Sequence, residues 1–219
     1  MKIIAIIVAA GTGNRMKSDI PKQYLPLQNK TILHHCITTF KNHSQISNII
    51  CAINKDDLDL YQNTISDLKI LEPVFGGTER QDSVRLALEK IQNLNPDLVL
   101  IHDSARPFVT KEVIDNLILK LDKNKAAIPT ILVSDTIKKI ENGVIINTID
   151  RENIHLAQTP QGFNYQLILK LHRKYQNQKF TDDSSLCEKE KVIIGIVPGD
   201  INNFKITNKE DYDRARKFC

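Results

Sequence analysis

Residues 3–9 read Ile-Ile-Ala-Ile-Ile-Val-Ala and run directly into Gly11-Thr12-Gly13-Asn14-Arg15. An apolar stretch rich in β-branched residues and without alternation suits a strand buried on both faces. A glycine turn placed straight after such a strand is where open α/β sheets hold ligands, at the carboxyl ends of their strands. Both faces of the strand must then be covered, which calls for helices on either side and further strands alongside. Lys2 before the run invites comparison with a secretory leader, but the run leads into the glycine turn and not into a polar cleavage region. The segment reads as the first strand of the fold.

Similar runs recur at 48–54, 98–102 and 126–133. Between them lie helical spacings: Ile32, Cys36 and Phe40, then Val84, Leu88 and Ile91, then Val113, Ile114, Leu117, Ile118 and Leu121, with Thr110 as a plausible N-cap. Strand and helix in alternation predict a mostly parallel α/β sheet with helices on both sides. The pattern changes at Asp135, where residues 137–140 and 144–150 flank Asn142-Gly143, the strongest short hairpin signal. Helical spacing returns over 164–175, a strand is expected over 192–197, and a last helix starts from Asn208. No repeat, low-complexity tract or linker interrupts this order. The expected organisation is a single domain over 1–219 with a projecting β-arm at about 135–155.

Composition narrows the function. With 219 residues, 41% of them hydrophobic, the chain can bury one sizeable core, which excludes general disorder. Lys and Arg exceed Asp and Glu by 30 to 26, a surplus too mild to imply nucleic acid and equally suited to a small anionic substrate. The cysteines at 36, 51, 187 and 219 have no CxxC spacing, which argues against zinc or a disulfide framework and for a reducing cytoplasm. The longest apolar run falls far short of the ~20 residues of a membrane span. No membrane association is expected.

Four segments suggest chemistry locally. The 9–16 turn would let backbone N–H groups approach a phosphate, with Arg15 and Lys22 as nearby cations. Met16 stands where a dinucleotide fingerprint has its third glycine, and no Walker A run is present, so this is neither loop; a solvated surface turn fits as well. Pro21 and Pro26 bracket Lys22 in a defined loop, or in a plain linker. Residues 75–83 would read a base edge through main-chain groups at Gly76 and Gly77, or form a tight capped turn with Arg80 packed against its neighbours. At the end of a buried strand, Asp103 would hold Mg²⁺ and a ribose while Arg106 grips a phosphate, or the two would form a structural pair. His102 reads as a satisfied core histidine more readily than as a general base, and Asp182-Asp183 as carboxylates that stabilise a helix start more readily than as metal ligands.

In order, AAGTGNRM (9–16), PKQYL (21–25), FGGTERQDSV (75–84), HDSARPFV (102–109), DTIK (135–138), DRENIHLAQTPQGF (150–163), TDDSS (181–185) and NNFKIT (202–207) closely resemble the cytidylyltransferases that act on 2-C-methyl-D-erythritol 4-phosphate. The resemblance runs from residue 3 to about 212. It implies a Rossmann-like nucleotidyltransferase sheet whose β-arm interlocks two subunits as a homodimer. It also implies transfer of a cytidylyl group from CTP to the sugar-alcohol phosphate, with Mg²⁺ as cofactor and pyrophosphate released. By position, Arg15, Lys22 and Lys205 match the family's catalytic cations. Ala9, Ala10, Gly11, Gly77, Thr78, Ser83, Asp103 and Ser104 match its CTP site, with Asp103 also at the metal position. Arg106, Thr136, Arg151, Thr181 and Lys205 match its sugar-phosphate site, some of them contributed across the dimer. Ser104 departs from the alanine of many members and resembles the ribitol 5-phosphate cytidylyltransferases, which makes that enzyme the alternative. A non-catalytic nucleotide-binding module is a further alternative, against which the joint presence of Arg15, Lys22, Asp103 and Lys205 argues.

Overall fold

A computed structural model describes residues 1–11, 16, 18 and 20–218. Its elements are β1 (Ile3–Ala9), β2 (Pro26–Leu27), β3 (Lys30–Thr31), α1 (Ile32–Lys41), β4 (Ile46–Ile53), α2 (Leu58–Ile65), β5 (Val74–Phe75), α3 (Arg80–Lys90), β6 (Leu98–Asp103) and α4 (Lys111–Leu121). They continue with β7 (Ala126–Leu132), β8 (Ile137–Glu141), β9 (Val144–Ile149), β10 (His155–Ala157), β11 (Gln161–Asn164), α5 (Tyr165–Lys174), α6 (Ser184–Lys189), β12 (Ile194–Pro198) and α7 (Lys209–Phe218). The central sheet has the order β10-β7-β11-β6-β1-β4-β5, with β12 also paired to β7.

The expected α/β architecture is present, and β1 explains it. Its alternate residues serve two cores: Ile3, Ala5, Ile7 and Ala9 pack with Leu33 and Ile37 of α1 and Ile114 and Leu117 of α4, while Ile4 and Ile6 pack with Val84 and Leu88 of α3 and Ile168 of α5. An uninterrupted apolar run is what such double burial demands. β1 pairs in parallel with both β4 and β6, so that Val8 lies level with Ala52 on one side and Asp103 on the other. The chain leaves β1 first towards β4 and β5 and then returns to β6, which makes the end of β1 the switch point of the sheet.

Between β6 and β7 runs β11, antiparallel to both. The sequence pattern does not mark Gln161–Asn164 as a strand, because Gln, Gly and Asn lack strand character on their own; Phe163, fully buried, supplies the packing instead. Two of the predicted caps hold: the Thr110 side chain accepts from Val113 N, and Asn208 Oδ1 accepts from Asp211 N at 2.8 Å. The 137–149 hairpin forms a separate two-stranded sheet, with Asn142 at φ 51° and Gly143 at φ 79° in the turn. Both positive values match the turn that Asn-Gly favours. Among the described residues no helix is long and apolar enough to cross a membrane.

At Gly162 of β11 an added Cβ would sit 2.6 Å from Leu121 Cδ1 and 3.1 Å from Leu100 Cδ2. Gly162→Val is therefore expected to destabilise the fold by about 1–3 kcal/mol through overpacking. A urea midpoint equal to that of the parent would contradict this.

Candidate active site

The carboxyl ends of β1, β4, β5 and β6 lie side by side, and a cleft of about 270 Å³ opens above them. Three loops and one returning segment build its walls. The 22–24 turn is pinned to the end of β1 by Gln23, whose Nε2 donates to Ala9 O at 2.7 Å and to Gly11 O at 3.0 Å. Gln23 is itself buried, so the turn carrying Lys22 has a fixed seat. Lys22 Nζ donates to Ile206 O at 2.8 Å.

The loop after β5 is organised by Ser83. Its hydroxyl accepts from Gly77 N and donates to Glu79 O, each at 3.2 Å, folding residues 77–79 over the start of α3. A side chain at Gly76 would meet Ala10 Cβ and Ser83 Oγ, both at 2.5 Å, so this wall approaches the β1 loop closely only because the position is glycine.

Asp103 ends β6. Its Oδ1 accepts from Arg80 Nε at 3.0 Å and its Oδ2 from Lys205 Nζ at 2.6 Å. Burial works to raise this carboxyl, but Arg80 and Lys205 outweigh it and hold Asp103 far below the usual carboxylate range. Lys205 arrives on a segment fastened to the turn after β6 by Ile206 N to Ala105 O at 2.9 Å and by Arg106 Nη1 to Asn203 O at 2.7 Å. The Asp103 ion pairs thus run to Arg80 and Lys205. The Arg106 guanidinium faces the backbone of Asn203, so the local side-chain pair of Asp103 with Arg106 is not formed; the two residues meet through the backbone, Arg106 N donating to Asp103 O at 3.0 Å.

Of the residues expected at the site, Ala10, Gly11, Lys22, Gly77, Thr78, Ser83, Asp103, Ser104 and Lys205 line this one cleft. Ala9 lies buried beneath it and takes part through its carbonyl. Arg106 is placed behind the Lys205 segment. Thr136 and Arg151 lie at the base of the hairpin, exposed, with Arg151 donating to Ser134 O; Thr181 is exposed and bonded to Ser185 Oγ at 3.3 Å. None of these four lines the cleft of its own chain. Arg15 lies outside the described residues. Arg80 and Gln23 line the cleft without having been singled out as functional. Gln23 follows directly from the PKQYL segment, whereas nothing near Arg80 in sequence reveals its carboxylate partners.

His102 is a satisfied core residue, as expected: its ring contacts Arg106 O at 2.9 Å and Thr159 Oγ1 at 3.0 Å, and burial pushes it down to about 4. Asp182 does hold a helix start, accepting from Ser185 N at 3.0 Å. Asp183 instead faces Arg80 and His172.

A family model described as 2-C-methyl-D-erythritol 4-phosphate cytidylyltransferase, IspD, matches residues 3–219. The chain belongs to this family. The bifunctional enzyme IspD/IspF of Paramagnetospirillum magneticum is 42% identical over 98% of this chain, and that of Wolbachia pipientis 44% over 98%. The chain spans only 56% and 55% of those two proteins. Among solved structures, 4-diphosphocytidyl-2C-methyl-D-erythritol synthase from Anaerococcus prevotii matches with a TM-score of 0.87 at 33% identity, covering 99% of this chain and 95% of that one. The Francisella tularensis 2-C-methyl-D-erythritol 4-phosphate cytidylyltransferase matches with a TM-score of 0.85 at 31% identity, each chain covered in full. The fold is that of an IspD nucleotidyltransferase.

His102 generates a pH prediction. An unfolded histidine binds a proton near 6.5, whereas the folded one does so only near 4. Across that window the unfolded chain holds the extra proton, so stability is full above about 6.5 and falls as pH drops towards 4, by up to about 3 kcal/mol from this residue. Urea midpoints compared between pH 7 and pH 4.5 should show a shallower loss in His102→Asn than in the parent. Identical losses would show that His102 does not carry it.

Proposed function

We propose that this chain transfers a cytidylyl group from CTP to 2-C-methyl-D-erythritol 4-phosphate, forming 4-diphosphocytidyl-2-C-methyl-D-erythritol and pyrophosphate. The observation carrying this reading is the convergence of Lys22, Asp103, Lys205 and the Ser83-braced loop on one cleft, in a chain of the IspD family. A phosphate oxygen of the sugar attacks the α-phosphorus of CTP. The bond from that phosphorus to the bridging oxygen breaks, and pyrophosphate leaves with the electron pair. The nucleophile is already an anion, so no side chain has to remove a proton.

Catalysis then rests on positioning and on cations placed where charge develops. We assign that role to Arg15 and Lys22 at the α-phosphate, and to Lys205 between the nucleotide and the sugar phosphate. Main-chain groups at Ala10, Gly11, Gly77 and Thr78 would read cytosine, with Asp103 and Ser104 at the ribose. Members of the family use a divalent metal. Among the described residues no group of three or more His, Cys, Asp or Glu could cage an ion. Two carboxylates, Asp103 and Glu79, line the cleft, and so small a set fits Mg²⁺, which takes most of its ligands from phosphates and water. Asp103 would hold it, and it would supply charge neutralisation on the triphosphate.

The hairpin leaves Ile140, Val144, Ile145 and Ile146 more than half exposed, at 60, 62, 60 and 54%. Such an apolar patch on a two-stranded arm is unfavourable in water and marks an interface. We assign it to a homodimer, in which Thr136 and Arg151 of one arm serve the sugar-phosphate site of the other chain. Arg106 and Thr181 complete that site in this reading. Cys36, Cys51 and Cys187, all free and buried, suit a cytoplasmic setting.

The deciding experiment measures pyrophosphate release from CTP and Mg²⁺ with 2-C-methyl-D-erythritol 4-phosphate, with D-ribitol 5-phosphate, and without sugar. Release dependent on the erythritol phosphate is expected; preference for ribitol phosphate would reassign the substrate, and no release with either would sink the enzymatic reading. In the same assay Lys22→Ala should lower kcat by at least about a hundredfold, with a smaller effect on CTP binding. Ile145→Asp should give monomers in sedimentation analysis and a raised KM for the sugar phosphate. A fully active monomer would remove the arm from the site.

A further inference from the structure

Arg80 reaches two carboxylates, one that lines the cleft and one that lies outside it. Its Nε donates to Asp103 Oδ1 at 3.0 Å, and its Nη1 donates to Asp183 Oδ2 at 2.7 Å. Asp183, 1% exposed, does not line the cleft; its Oδ1 accepts from Nε2 of His172, which is fully buried on α5. The other Asp103 oxygen, Oδ2, takes Lys205 Nζ. An unbroken series of charge-assisted bonds therefore runs from His172 through Asp183, Arg80 and Asp103 to Lys205, and each carboxylate oxygen has a partner in it.

The physical character of the series points beyond stability. Buried ion pairs contribute little net stability once desolvation is counted, because well-packed apolar residues do as well. What a planar guanidinium gripped on both sides does provide is orientation, which a point charge cannot supply. Arg80 is the first residue of α3, immediately after the Gly77–Glu79 loop. With its outer end held by Asp183, its Nε can meet Asp103 in one orientation only. That contact occupies Oδ1 and leaves Oδ2 as the oxygen shared with Lys205.

We propose that Arg80 is a positioning residue for the nucleotide: anchored by Asp183 and His172, it fixes the Asp103 carboxylate that meets the ribose and its metal, and ties that carboxylate to the base-reading loop. This deepens the cytidylyltransferase reading and rests on it.

Asp183→Asn tests the proposal from outside the cleft. It preserves size but removes the charge and one of the two acceptors that Arg80 and His172 share. CTP affinity by calorimetry, KM for each substrate and the urea midpoint are measured on the full chain beside the parent. The Kd and KM for CTP should rise about tenfold or more, as is usual when a ligand-orienting partner is lost, while KM for the sugar phosphate stays within about twofold. Arg80→Lys, which can satisfy only one carboxylate at a time, should reproduce the loss, and it carries the test if Asp183→Asn does not fold.

Parent-like CTP affinity in both variants, with only a lowered urea midpoint, would reduce the series to structural support and overturn the proposal. So would restoration of CTP binding by Arg80→Lys where Arg80→Ala abolishes it, since Arg80 would then act as a direct cation on the nucleotide. If the parent itself fails to bind CTP, the nucleotide reading falls and the proposal with it. That outcome is distinct from a binding parent with unaffected variants.

Discussion

A carboxylate buried at the end of a central strand has to be compensated, and the cleft is built around that compensation. Asp103 sits level with Val8 on the neighbouring strand, deep enough that its charge would be untenable alone. Arg80 and Lys205 supply the balance from opposite directions in the chain, one at the start of α3 and one after the last strand. The two walls are thereby drawn to a common point. Removing the negative charge would leave two cations facing each other across a partly buried gap, so the acidic residue organises the basic ones as much as they neutralise it.

Around this pair the backbone does most of the shaping. Gln23 seats the Lys22 turn on two carbonyls, Ser83 folds the 77–79 loop onto α3, and Gly76 allows that loop to approach Ala10. These contacts are short-range and polar, and they stand on a sheet whose strands need only be apolar. Scaffold and site thus depend on different parts of the sequence.

That division explains what could be read in advance. β1, β4, β6 and β7 are legible as apolar runs because burial within the sheet favours mostly apolar residues, and the hairpin is legible because Asn-Gly has a specific conformational preference. β11 is not, since its four residues become a strand only by lying between β6 and β7. The glycine and lysine positions of the cleft followed from ordered motifs and family resemblance, not from spacing alone. The role of Arg80 is not legible in the sequence because its partners lie 23 and 103 residues away, a relation that no local pattern contains. The pairing of Asp103 with Arg106, suggested by nearness in sequence, gave way to the same cause: proximity along the chain does not decide which guanidinium turns inward.

The segment that brings Lys205 to Asp103 follows β12, the last strand of the sheet, and is fastened by Ile206 to Ala105 and by Asn203 to Arg106. On the ribosome, β1 can therefore pair with β4 and β6 before the cleft is complete. Until residues 203–207 leave the exit tunnel, Asp103 has only one of its two cations and the Lys22 amine lacks its bond to Ile206 O. The cleft is thus closed by a segment that the chain supplies only after its last strand, whereas the central pairs of the sheet beneath it come from earlier elements.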